Sequence, residues 1–230
     1  PSPSERREIV IKVDLHVHTY RSPDSLAMPE DILRWARRRG LDRVAITDHD
    51  AIDVALEMHR RWPEVVLVGE EIKTARGEII GLFLDERIPA GLSPMETVRR
   101  IRAQGGVVYV PHPMDRVRGS ALAPDALDEI AEGIDDREAL VIETLNARVT
   151  LTADNRLADA FAARYRLARG AGSDAHHPAE VGTAHVEMSP FASADEFRAA
   201  IRGARVRGRV SSPLVHLGST YAKLVKGVMA

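Results

Sequence analysis

Short apolar runs alternate with longer amphipathic stretches along almost the whole chain, and that alternation most narrows what it can fold into. Runs that read as strands are Ile9–Leu15, Arg43–Thr47, Val65–Val68, Ile79–Leu84, Val107–Val110, Ala139–Thr144, Arg169–Ala171 and Thr183–Met188. Between several of them lie stretches with helical spacing: Pro29–Arg39, Ala51–Arg61, Ser93–Gln104, Ala123–Ala131, Asn155–Tyr165 and Ser193–Gly203. Pro29 suits a first helical turn, and Gly40, Gly105 and Gly170 stand where helices should stop. Such alternation predicts an α/β fold with parallel strands. With 230 residues, 44% of them hydrophobic, one well-packed domain is expected and two would be cramped.

The polar residues then fall in a pattern. His16 and His18 close the first strand, and the two-residue repeat of a strand sends both imidazoles to one side. Asp48 and His49 close the second, in AITDHD, and Glu70 and Glu71 the third, in VLVGEEI. His112 follows a later strand in VVYVPHP, Glu143 and Asn146 end another in LVIETLNAR, and Asp174 and His176 follow the next in GAGSDAH. In a barrel of parallel strands the active site forms at the C-terminal strand ends. An open doubly wound sheet gathers its ligands mainly at one switch point. Metal-competent side chains from so many strands fit a ring, so a (β/α) barrel is expected. One HxH is a weak signal alone, and an Asp beside a strand end often caps a helix; the recurrence at strand after strand carries the reading. His59, His185 and His216 fall outside this set.

Composition removes other chemistries. There is no Cys, so any metal must be held by His, Asp, Glu and amide or backbone oxygens. Imidazole mixed with carboxylate suits Zn, Mn or Fe. The 32 basic and 34 acidic residues nearly cancel, so no overall field marks a membrane or duplex nucleic-acid partner. No apolar run has the length of a membrane span, and PSPSERRE lacks a signal-peptide core, so a cytoplasmic enzyme is expected.

In DLHVHT, SPDS, AITDHD, VGEEI, VPHP, IETLNAR and GSDAHH the sequence resembles the PHP family, named for polymerase and histidinol phosphatase, in order and spacing from Val13 to Gly208. The resemblance implies a distorted (β/α)7 barrel, TIM-like, occupying residues 1–210, with two or three divalent ions. The tail, 211–230, is expected to be a terminal helix or strand packed on the barrel or on a partner. His16, His18, Glu71 and Asp174 resemble the ligands of a first metal, with Glu71 bridging to a second that also uses His112. Asp24, His49 and His176 resemble the ligands of a third. At the second metal the sequence offers Asn146, with Glu143 nearby. Glu70 would point away or support a ligand from behind, and Asp48 would orient a neighbour.

What the resemblance implies for function is hydrolysis of a small phosphate ester by metal-bound hydroxide attack at phosphorus. His16, His18, Glu71 and Asp174 are the residues expected to carry it. Arg116, Arg118 and Arg148 lie on loops at the catalytic end, where they could contact phosphate; His177 could touch substrate or be exposed. A nucleotide or oligonucleotide end is the favoured substrate, with a histidinol-phosphate type second. Few aromatics occur and none cluster at the expected site, which weighs against extended single strands. An amidohydrolase shares the HxH opening but usually bridges its metals with Lys; here Glu71 takes that place and Lys73 lies two residues on. A non-catalytic barrel with relic ligands is the remaining reading, and the near-complete ligand set argues against it.

Overall fold

The computed structural model describes residues 9–134 and 140–227; Ala139, expected to open a strand, and the chain ends at 1–8 and 228–230 lie outside them. The elements run β1 (Ile11–Val17), α1 (Pro29–Arg38), β2 (Arg43–Ile46), α2 (Asp53–Arg61), β3 (Val66–Thr74), β4 (Gly77–Leu82), α3 (Pro94–Ala103), β5 (Val107–Val110), α4 (Pro124–Gly133), β6 (Leu140–Asn146) and α5 (Thr152–Tyr165). They continue with β7 (Ala168–Gly172), a 3-10 turn (Pro178–Glu180), β8 (Ala184–Met188), α6 (Ala194–Ile201), β9 (Arg205–Gly208) and α7 (Val215–Val225). Local chemistry sets the helix starts. Proline occupies the first turn of α1, α3 and α4, and the Ser93 and Ser193 side chains accept from the N–H of Glu96 and Glu196 to cap α3 and α6.

The sheet order is β7-β6-β5-β4-β3-β2-β1-β8-β9. Beyond β7 the chain reaches β1 again: His18 N donates to Ala175 O at 2.9 Å and Asp174 N to His16 O at 2.8 Å. The sheet is therefore a nearly closed, distorted barrel, with β8 and β9 as a flap on the edge of β1. β1–β2–β3 and β5–β6–β7 are parallel, as the alternation predicts. β4 and β8 depart from that expectation. β3 runs on past Glu70 and Glu71 to Thr74 and turns directly into β4, which lies antiparallel to both β3 and β5. Without an intervening helix there is no crossover to return the chain to the same direction. Gly77 makes that turn at φ +117°, where a Cβ would meet Leu122 Cα at 2.5 Å. β8 is likewise antiparallel to β1.

Strand alternation divides the core. Val66, Val68, Ile79, Val108 and Val110 pack outward with helix residues such as Met58, Ile101, Ile130 and Phe161. Leu67, Ile80, Leu82, Val107, Tyr109 and Val141 fill the interior with Phe191, Phe197 and Ile201. Phe83, just beyond the end of β4, packs against Phe197 with ring centroids 5.2 Å apart, so the α6 side plugs one end of the barrel. Glu78, at the start of β4, opens onto the other end, where the histidines gather.

Candidate metal centre

β1 delivers two imidazoles to one point: His16 Nε2 and His18 Nε2 lie 3.0 Å apart. Asp174 Oδ1 sits 3.6 Å from the first and 3.4 Å from the second. Glu71 Oε2 lies 3.5 Å from His16 Nε2, 3.3 Å from His18 Nε2 and 3.1 Å from His49 Nδ1, while its Oε1 lies 3.2 Å from His112 Nε2. One carboxylate thus faces four histidines. Asp24 Oδ1 lies 3.2 Å from His176 Nε2 and 3.5 Å from His49 Nε2. The structure therefore brings together His16, His18, Asp24, His49, Glu71, His112, Asp174 and His176.

Glu78 belongs to the same cluster, although the sequence reading passes over it. Its carboxylate lies 3.8 Å from His49 Nδ1 and 3.7 Å from His112 Nε2. His49, Glu71 and Glu78 form a group of metal-ligand spacing, as do His16, Glu71 and His112, and His18, His49 and His176. Asn146, which was expected beside the second metal, is turned away from that task. Its Oδ1 accepts from Arg148 N at 2.7 Å, and its Nδ2 donates to Glu143 at 2.9 Å and to Asp174 at 3.2 Å. The network fixes the amide so that a donor, not a lone pair, faces the cluster.

Residues behind the cluster hold it. Glu143 is fully buried and accepts from Tyr109 OH, His112 N and Asn146 Nδ2, with His16 Nδ1 at 3.2 Å from its Oε1. Asp48 accepts from Thr19 and from Ser22 Oγ, and Ser22 Oγ lies 3.1 Å from His18 Nδ1, so Asp48 acts on His18 through a hydroxyl. Asp14 ties β1 to the chain after β7 by accepting from Ser173 and Gly182, and burial pushes its carboxyl up to about 6. Glu70 points to the opposite side of β3, where it accepts from Ile88 N, and burial raises it to about 7. His112 and Asp174 both adopt positive φ, 30° and 52°. Non-glycine residues held in that region cost energy and concentrate at functional sites.

The electrostatics suit a cation. Burial opposes charge on His16, yet Asp174, Glu71 and Glu143 hold its pKa well above the ordinary value. His18 is held well below it, by burial and by neighbouring His176 and His49. Burial works against ionisation of Glu71 and Asp174, but His16 and His49 keep the first low and Arg118 and His16 the second. Buried carboxylate oxygens on Asp24, Glu71, Glu78 and Asp174 accept no hydrogen bond. Unserved oxygens facing a cage of imidazoles, in a field that draws positive charge, fit divalent ions of the borderline class.

The expected phosphate contacts divide. Arg118 and Arg148 line the open cavity above the cluster, but Arg118 Nη1 donates to Asp174 at 2.7 Å and Arg148 Nη1 to Glu180 at 2.7 Å. Arg116 and His177 are not among its walls. Arg116 pairs with Asp154 at 2.8 Å, and exposed His177 caps the 3-10 turn by accepting from Ala179 N. In their place the tail contributes: His216 and Lys223, both on α7, line the cavity.

A barrel whose catalytic end carries this cage defines a metal-dependent hydrolase. Residues 14–101 match the PHP domain, and residues 152–206 match the PHP-associated segment. An uncharacterized protein of Methanocaldococcus jannaschii is 45% identical over 116 residues, taking in 45% of this chain and 68% of its own length. A second from the same organism is 36% identical over 183 residues, 78% of this chain and 71% of its own. The chain belongs to the PHP family. Among solved structures, a two-domain protein from Bacteroides vulgatus containing a predicted PHP-like metal-dependent phosphoesterase matches with TM-score 0.65 and 17% identity, over 94% of this chain and 70% of its own. An amidohydrolase from Chromobacterium violaceum, with sulfate bound and no metal, matches with TM-score 0.52 and 19% identity, over 74% and 89%. These two share the fold. No helix among the described residues is long and apolar enough to cross a membrane.

Proposed function

We propose that this protein hydrolyses a small phosphate ester with two or three divalent ions, Mn, Zn or Fe. The observation that carries the reading is Glu71, whose two oxygens face His112 on one side and His16, His18 and His49 on the other. One carboxylate so placed can serve neighbouring cations at once. His16, His18 and Asp174 would complete a first site, and His112, Glu78 and His49 would surround a second. Asp24, His176 and His49 would make a third. Ions held there supply Lewis acidity and an activated water at neutral pH.

The chain's own groups do the rest. Glu143 holds His16 Nδ1 and Ser22 holds His18 Nδ1, so that both Nε2 lone pairs face the cage. Arg118, beside Asp174 and in the cavity wall, would meet phosphate oxygens as charge builds on them. No Ser or Cys nucleophile is needed. The test is phosphate release from a panel of esters, with amides in parallel, after loading with Mn, Zn or Mg. Asp174→Ala should lose bound metal and nearly all turnover. Full turnover by metal-stripped Asp174→Ala, or amide cleavage without ester cleavage, would sink the proposal.

A further inference from the structure

α7 is amphipathic the wrong way round. A surface helix ordinarily buries its apolar stripe. Here Val215, His216, Ser219, Ala222, Lys223 and Lys226 are the buried or half-buried positions, at helical spacing, and most are polar. Leu214, Leu217, Tyr221, Leu224 and Val225 stand in solvent, each more than half exposed. The helix is held by polar clamps. Arg148 Nη2 donates to Ser219 Oγ at 2.7 Å, Lys226 Nζ donates to Ser22 O at 2.6 Å, and Lys223 Nζ lies 3.6 Å from Asp24. A polar stripe facing inward makes sense only above a polar space, and that space is the cavity over the metal cage, about 510 Å³. Ser219, Thr220 and Lys223 line it from α7, and Lys73 and Ser120 line it from the barrel.

Among the described residues, the lining holds no aliphatic side chain beyond Pro23, and no Phe, Tyr or Trp. Nucleobases are normally gripped by stacking on such rings. Among the described residues, His216 is the only aromatic ring in the lining outside the metal cage, and its helix neighbours along the wall are Ser219, Thr220 and Lys223.

We propose that α7 is the wall that selects the leaving group, and that the substrate is a small, hydroxyl-rich phosphomonoester of the sugar or polyol type. Thr220 Oγ1, whose proton goes to His216 O at 3.1 Å, accepts from one of its hydroxyls, and Lys223 Nζ donates to another. This rests on the phosphoesterase reading above and departs from the nucleotide favoured by sequence.

The experiment compares kcat/KM of the metal-loaded enzyme for glycerol phosphate, a pentose phosphate, adenosine monophosphate and p-nitrophenyl phosphate. The hydroxyl-rich esters should exceed adenosine monophosphate by about tenfold or more, the worth of one well-made buried hydrogen bond. Thr220→Val and Lys223→Ala change exposed or half-exposed positions and should fold; retained metal content checks this. Each should lower the preference for pentose phosphate over p-nitrophenyl phosphate by about tenfold, chiefly through KM. Faster cleavage of adenosine monophosphate, or an unchanged preference in both variants, would overturn the inference. Turnover of p-nitrophenyl phosphate with none of the hydroxyl-rich esters would overturn it while leaving the phosphoesterase reading standing. Release of phosphate from no ester would overturn both.

Discussion

His16 Nδ1 and Glu143 Oε1 meet 3.2 Å apart in a fully buried contact, and every other donor around Glu143 holds that carboxylate still: Tyr109 OH at 2.8 Å, His112 N at 2.7 Å and Asn146 Nδ2 at 2.9 Å. The contact fixes the ring so that Nε2 faces the cage. Partners of this kind orient a ligand and raise its basicity. Glu143→Gln should therefore weaken Mn or Zn binding by about 10- to 100-fold while the fold survives. Metal titration by calorimetry checks this, and wild-type affinity in the variant would show that Glu143 does not position the ligand.

Glu78 reaches the cage from β4, between His49 and His112. Under the proposed assignment of metal sites, Glu78→Ala should remove one metal equivalent and spare the one assigned to His16, His18 and Asp174. Elemental analysis after dialysis gives the stoichiometry. An unchanged count would mean that Glu78 holds no ion.

Much of this centre is legible in the sequence because a strand's two-residue repeat is reliable. His16 with His18 follows from it; the choice of Glu71 over Glu70 comes from the family resemblance, and the strand's alternation then turns Glu70 to the opposite side of β3. Glu78 is not legible among C-terminal strand ends, because β4 runs antiparallel and brings its N-terminal end to the cage. A short turn with Gly77 between two apolar runs was the available signal. The resemblance offers Asn146 at the second metal, and sequence cannot say which end of its amide faces the cage; in the structure its Oδ1 accepts from Arg148 N and its Nδ2 donates to Glu143 and Asp174. Arg116 and His177 were spent locally, on Asp154 and on the 3-10 turn. The tail is expected as a terminal helix or strand on the barrel or on a partner, but the inward face of α7 is not legible because periodicity rules expect the apolar stripe to be the packed one.

Gly172 lies against His16 so closely that a Cβ would sit 2.3 Å from His16 Cβ and 2.6 Å from Glu143 Oε1. Neither neighbour can retreat, since both are fully buried. Gly172→Ala should cost about 1–3 kcal/mol by overpacking and displace His16. Urea unfolding and metal titration together test this; normal stability with normal affinity would show that the strand can shift to make room.

Glu70 offers a pH signature on the other side of β3. Burial raises its pKa from 4.5 to about 7, against the help of Ile88 N and Arg87. Between those values the folded protein keeps a proton that the unfolded chain has released, so this group's contribution to stability falls as pH rises through the window. Glu70→Gln removes the titration and can still accept from Ile88 N. The variant should match wild type near pH 4.5 and exceed it above pH 7 by at most about 3 kcal/mol. Urea midpoints across that range measure the difference, and a pH-independent gap would exclude Glu70 as its source.

Arg148 is where the barrel grips α7. Its guanidinium is almost fully buried, joined to Glu180 at 2.7 Å and to Ser219 Oγ at 2.7 Å, and Glu180 in turn accepts from His176 N at 3.0 Å. One side chain therefore couples the helix over the cavity to the loop that carries Asp174 and His176. Arg148→Met keeps the bulk but leaves Glu180 without its cation, a loss of about 3–5 kcal/mol for a buried pair. Residues 215–225 should then exchange amide hydrogens faster, while β5 and β6 stay protected because their ladders do not depend on α7. If exchange in α7 is unchanged, the Lys226 clamp alone secures the helix, and Lys226→Met becomes the variant that should free it.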